Sequence, residues 1–204
     1  MRTFGVLLCL TLLGTGCTIN YDETVHVQGL EDVTAWEQST AARRGTIVLG
    51  SDIDRESAVE VSRKMIVLAE DPNVTRITMI INSNGGDTSA FRTIYNAMRF
   101  SDKPVDVVNV GNCYSAACSI FAAATGNCYA YPNAHFMVHQ PQATGYAVRR
   151  YQDLVEFEIN YYETVLRERG LPDAWFPLTN KDRYFTTQEA LDYGFVDKII
   201  ETLP

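Results

Sequence analysis

Three polar side chains in this 204-residue chain have types and positions suited to covalent chemistry: Ser115, His139 and Asp182. Ser115 lies where the apolar run through Val107, Val108 and Val110 gives way to the Ala-rich stretch beginning Ala116-Ala117-Cys118. A hydroxyl at the first turn of a helix sits beside backbone N–H groups that have no intrahelical acceptor, at the positive end of the helix dipole. Such groups stabilise an oxyanion, usually a large term in acyl transfer. His139, in Met137-Val138-His139-Gln140-Pro141, follows another short apolar run. A neutral imidazole there can take the serine proton and return it to a leaving amine. Asp182, in Lys181-Asp182-Arg183-Tyr184-Phe185, is the best candidate for the carboxylate that fixes the imidazole tautomer. Gly86, in Asn82-Ser83-Asn84-Gly85-Gly86, permits φ > 0 and lets a backbone N–H point at a ligand. Each feature alone has a plainer reading: serine caps helices, a Gly pair makes a turn, and a histidine near a strand end is often only hydrogen-bonded.

The elements around these residues decide whether they can meet. Thr46–Leu49, Ile77–Ile81 and Val105–Val110 read as buried strands, the last two as the continuous apolar runs of a parallel sheet. Ala58, Val61, Met65 and Leu68 recur at helical spacing, as do Phe91, Ile94 and Met98. Ser115–Ala124 reads as a helix, Tyr129–Tyr131 and Phe136–Val138 as short strands, and Val148–Arg169 as a long helix striped by Tyr151, Val155, Ile159, Tyr162 and Leu166. That stripe suits either packing on its own domain or an oligomer contact. Thr186 and Glu189 form a capping-box pattern opening a short helix, and Phe195–Ile200 reads as a closing strand. Alternating β and α units predict an α/β fold with a mainly parallel sheet. Ligands in such sheets bind at the C-terminal strand edge, where Gly86, Ser115 and His139 all fall.

Composition narrows the function class. A formal charge of −8, with no basic run, argues against a nucleic-acid partner. Residues 1–17 have the pattern of an export signal: Arg2, then the apolar stretch Val6–Leu13, then small residues at Gly14-Thr15-Gly16 before Cys17. The stretch is far shorter than the ~20 apolar residues of a spanning helix. It resembles a bacterial lipoprotein signal, which implies lipidation at Cys17, a periplasmic or cell-envelope location, and contact with membrane only through that anchor. Residues 18–45 read as a polar linker or arm, and residues 46–204 as one domain. Cys113, Cys118 and Cys128 remain beyond the signal; they suit either a Cys113–Cys128 disulfide or three small buried hydrophobes. Their spacing matches no zinc site, and no cofactor is expected.

Four ordered motifs resemble the proteolytic subunit of the Clp protease, a serine peptidase of the ClpP/crotonase fold, from about Thr46 to Ile200. Ile80–Gly86 is similar to the family's Gly-Gly segment, Ser115 falls on its nucleophile, Met137–Pro141 on its histidine motif, and Asp182–Phe185 with Glu189–Asp197 on its closing motif. The resemblance implies a ββα superhelix with a long handle helix, and a Ser115-His139-Asp182 triad. It places the oxyanion hole at the backbone N–H groups of Gly86 and Ala116, and implies a homo-oligomer acting on peptide or protein substrates. Asn84 stands where the family has Pro, and Ala117 where it has Gly. Export would separate the chain from ATP, so a Clp unfoldase partner is not expected and peptide hydrolysis would be ATP-independent. The alternatives are a non-catalytic scaffold of the same fold and, more remotely, a crotonase-type acyl-CoA enzyme. A Ser/Lys dyad is disfavoured because no lysine lies between Lys103 and Lys181.

Overall fold

The computed structural model describes residues 39–141, 152–178 and 181–204. The expected export segment with Cys17, the arm up to residue 38 and the expected helix start at 148–151 lie outside the described residues. Among the described residues no helix is long and apolar enough to cross a membrane.

The order of elements is α1 (Thr40–Arg43), β1 (Thr46–Leu49), α2 (Arg55–Glu70), β2 (Ile77–Ser83), α3 (Thr88–Arg99), β3 (Val105–Tyr114) and α4 (Ala116–Ala122). Then follow β4 (Cys128–Ala130), β5 (His135–Val138), α5 (Gln152–Glu168), β6 (Arg183–Thr186), α6 (Thr187–Asp192) and β7 (Lys198–Ile199). The expected α/β fold with a mainly parallel sheet is the observed one: β1, β2, β3, β4 and β7 lie in that order, all parallel. β5 adds parallel to the far end of β3, and β6 closes on β5 antiparallel. The long helix, α5, is also present.

β3 organises the sheet. Along one side it pairs with β2; on the other, Val107–Asn109 pair with β4 and Asn112–Tyr114 pair with β5. It runs four residues past the apolar run that marks it in the sequence. Gly111 and Asn112 interrupt the hydrophobic pattern while the backbone stays extended. The expected closing strand is shorter than its apolar run, because Phe195 and Val196 are buried outside the ladder and only Lys198–Ile199 pair. The described end of the expected arm holds the short helix α1, capped by Ser39, with Ala42 buried.

Helix starts are fixed by side chains that satisfy otherwise unpaired N–H groups. Asp54 accepts from Ser57 N at 2.8 Å while Ser57 Oγ accepts from Asp54 N at 2.9 Å, a reciprocal box at the head of α2. Asp87 accepts from Ala90 N at 2.8 Å at the head of α3. The predicted Thr186/Glu189 box is present at α6.

The antiparallel β5–β6 pair is held by aromatic packing. Phe136 stacks on Phe185 with ring centroids 5.1 Å apart, and both rings pack edge-on against Phe195. Phe121 of α4 lies 5.1 Å from Phe136. Burying one such ring is worth about 1.5–3 kcal/mol. The cluster therefore fixes this strand pair against the helix that follows Ser115. The three cysteines are buried and free: Cys118 Sγ donates to Cys113 O and Cys128 Sγ to Phe121 O. The pairing of Cys113 with Cys128 is thus not formed, and the thiols pack as small apolar groups.

Candidate active site

Ser115 stands between β3 and α4 with φ 53° and ψ −125°, the one non-glycine residue with positive φ among the described residues. A side chain at positive φ is strained, and such strain persists only where neighbours hold it. Two contacts do so. Ser115 N donates to Met137 O at 2.8 Å, joining the turn to β5, and Ser115 O accepts from Cys118 N at 2.9 Å, starting α4. The turn projects the hydroxyl out of the strand end rather than into the helix, so Ser115 caps no N–H with its side chain.

The Gly pair presses on this turn. Gly85 has φ 92°, and a β-carbon on it would lie 2.5 Å from Tyr114 O and 2.9 Å from Ala116 N. Gly86 has φ 152°, and its β-carbon would lie 2.1 Å from Ile53 O. Ile53 N donates to Gly85 O, and Asp87 N donates to Ile53 O, both at 2.8 Å. In this parallel bridge Gly85 O and Asp87 N take the pairing with Ile53, which leaves the N–H of Gly86 out of the ladder, and Gly86 lines the cleft. Ala116 is the first residue of α4, and its N–H has no acceptor one turn back. Asn84 Oδ1 accepts from Asn112 Nδ2 at 3.3 Å, tying the Gly-Gly loop to β3.

The three polar residues converge. Ser115 Oγ lies 2.6 Å from His139 Nε2, and His139 Nδ1 lies 3.3 Å from Asp182 Oδ1. The second contact is close but poorly aimed: Nδ1 is buried and makes no hydrogen bond of good geometry. Asp182 is the most open of the three, with 45% of its side chain exposed against 19% for His139. Beside them runs a cleft of about 320 Å³ lined by Asn84, Gly86, Thr88, Met137, Pro141 and Tyr162, among others. At its rim Asp87 is held below the ordinary carboxylate range by the Ser89 hydroxyl and then by Ala90 N–H. Among the described residues no group of three or more His, Cys, Asp or Glu is placed to hold a metal.

Sequence reasoning places Tyr162 on a packing stripe and does not connect it with Ser115. Nothing in the spacing of one tyrosine on an apolar helix face distinguishes a core ring from one that also borders a cleft.

The profile of the Clp protease family matches residues 31–203. The chain belongs to that family. Among curated relatives, this Clp protease family member is 31% identical over 169 residues to ATP-dependent Clp protease proteolytic subunit 2 of Thermobifida fusca, covering 79% of this chain and 83% of the relative. It is 34% identical over 165 residues to the proteolytic subunit 2 of Mycobacterium tuberculosis, covering 76% and 77%. It is also 34% identical over 163 residues to the proteolytic subunit 1 of Leifsonia xyli, covering 76% and 83%. The Clp family member is accordingly a serine-type peptidase. Its α/β fold is consistent with the family's.

Proposed function

We propose that the chain hydrolyses peptide bonds with Ser115 as nucleophile, His139 as base and then acid, and Asp182 as the group that orients the imidazole. The 2.6 Å separation of Ser115 Oγ and His139 Nε2, beside an open cleft, carries this reading. With its proton on Nδ1, His139 accepts the Ser115 proton at Nε2 as Oγ bonds to the substrate carbonyl carbon. The carbonyl oxygen becomes the oxyanion, and the N–H groups of Gly86 and Ala116 are the donors that receive it. Collapse breaks the C–N bond, and Nε2–H passes its proton to the leaving amine. Water then enters, gives a proton to Nε2, attacks the ester, and Ser115 Oγ recovers the proton as the acid departs. Asp182 stabilises the imidazolium in both halves once Nδ1–H is aligned with Oδ1.

The proposal extends to where and how the enzyme works. The signal-like residues 1–17, with small residues before Cys17, support an exported and lipid-anchored peptidase of the cell envelope. There it would cut peptides or loosely folded segments without ATP and without a Clp unfoldase. Phe157, exposed on α5 and stacked with Tyr161, supports self-association through that helix.

The test is labelling of the purified full chain with an alkyl fluorophosphonate, beside Ser115→Ala and His139→Ala, read as a mass shift on intact protein. Modification of Ser115 that both substitutions abolish is the expected result. A folded chain that stays unmodified would point instead to a non-catalytic scaffold.

A further inference from the structure

Asn84-Gly85 is the single Asn-Gly step in the sequence. It lies at the cleft, where Asn84 is exposed and lines the wall with Gly86, Ser115 and His139. An asparagine carboxamide followed by glycine is open to attack by the next backbone nitrogen, because no β-carbon crowds the approach. Here the fold sets a hydrogen bond on each reacting group. Gly85 N–H donates to Ser83 Oγ at 3.1 Å, and Asn84 Oδ1 accepts from Asn112 Nδ2 at 3.3 Å. The first bond raises electron density on the attacking nitrogen, and the second draws it away from the attacked Cγ. Asn112 is itself anchored, since its backbone N–H donates to Asn82 Oδ1 at 3.0 Å.

We propose that Asn84 is a site of spontaneous covalent modification, and that its conversion to isoaspartate switches Ser115 off. Gly85 N bonds to Asn84 Cγ, and the carboxamide nitrogen leaves as ammonia, taking the Gly85 proton. Water then opens the cyclic imide. Attack at Cγ returns the native backbone with Asp at this position; attack at the main-chain carbonyl carbon gives isoaspartate. In both, the ring C–N bond breaks and Gly85 N regains a proton. The isoaspartyl link runs the main chain through the side chain and lengthens it by one carbon just before Gly85. No slack exists there. Even a β-carbon on Gly85 would lie 2.5 Å from Tyr114 O and 2.9 Å from Ala116 N. Beyond it, Gly85 O and Asp87 N are both pinned to Ile53 at 2.8 Å. The added carbon must displace either that bridge, with the Gly86 N–H, or the turn that holds Ser115. The loss of activity rests on the reading of Ser115 as nucleophile; the conversion itself does not.

The test incubates the folded full chain in mildly alkaline heavy-oxygen water, beside a sample in guanidinium, and maps the peptides over time. Heavy oxygen should enter the folded chain at Asn84, as Asp and isoaspartate, while the other asparagines of the folded domain stay intact. Fluorophosphonate labelling should decline as isoaspartate accumulates, and the labelled fraction should contain none of it. Asn84→Gln, whose longer side chain closes the larger ring slowly, should keep its own starting level of labelling over the same period. An Asn84 that converts in guanidinium and stays intact in the folded chain overturns the proposal. So does isoaspartate found equally in labelled and unlabelled protein. Failure of the probe on freshly purified chain is a distinct result: it removes the serine-nucleophile reading, and the switch with it.

Discussion

Gly85 and Ser115 share one steric pocket: a β-carbon on Gly85 would stand 2.8 Å from Ser115 Cβ, with the Tyr114 carbonyl nearer still. The strained serine backbone and the bare glycine hold each other in place, since neither conformation tolerates a larger neighbour. Gly85→Ala should therefore destabilise the fold by about 2–5 kcal/mol, from overpacking plus the positive φ. It should also slow Ser115 modification at least a hundredfold under conditions where the variant is still folded. Urea unfolding and fluorophosphonate kinetics check the two parts, and wild-type labelling in the variant would contradict the tie.

Asp182→Asn separates chemistry from stability. The side chain is exposed, and its contact with His139 Nδ1 is 3.3 Å and poorly aimed. Removing its charge should change stability by no more than about 1 kcal/mol. Loss of imidazolium stabilisation should lower kcat by about 10²–10⁴ with little change in KM. Full kcat in this variant, measured by steady-state kinetics on a peptide substrate, would remove Asp182 from the proposed mechanism.

Acid should loosen the helix heads. Asp54 is held below its ordinary range first by the Ser57 backbone N–H and then by the Ser57 hydroxyl, and Glu189 by the Thr186 backbone N–H and then its hydroxyl. A carboxyl whose folded pKa is depressed contributes stability above its unfolded value and loses it as pH falls through the folded one. Thermal melting of the wild type should thus drop more steeply between about pH 5 and about pH 2 than that of Asp54→Asn, whose amide caps without titrating. Parallel curves would show that the cap charge contributes nothing.

The thiols should be silent. Burial, with the neighbouring thiols, pushes Cys113 up, and burial raises Cys128 to about 12. Neutral, enclosed thiols are poor nucleophiles. Iodoacetamide with peptide mapping should leave Cys113, Cys118 and Cys128 unmodified in folded protein and modify all three in guanidinium. A disulfide recovered between any two of them from folded protein would contradict the packing.

Much of the fold was legible because its strands are apolar runs and its helices carry regular stripes. Ile77–Ile81 and the Thr186/Glu189 box needed only local rules. The full length of β3 was not legible, because Gly111 and Asn112 look like a strand end until β5 arrives from later in the chain to pair beside them. Phe195 looked like strand and is a plug, a difference set by the aromatic cluster it fills. At the site, residue types and strand ends pointed to Ser115, His139 and Asp182, and the structure brings their side chains together. The positive φ of Ser115 and the place of Tyr162 at the cleft had no signature in sequence, because both arise from contacts between segments far apart in the chain.

The bond from Ser115 N to Met137 O also sets an order of events in biosynthesis. A ribosome releases β1, β2 and β3 with Ser115 at their end before it has made the strand that holds the serine turn. His139 follows two residues after that strand's anchoring carbonyl, and Asp182 later still, beyond α5. Domains take their native packing as complete units rather than residue by residue. On the proposed roles, an unfinished or truncated chain carries the nucleophile without its supports and cannot cut its neighbours. Hydrolytic competence then arrives only when β6 has closed on β5 and the whole domain is present to confine it.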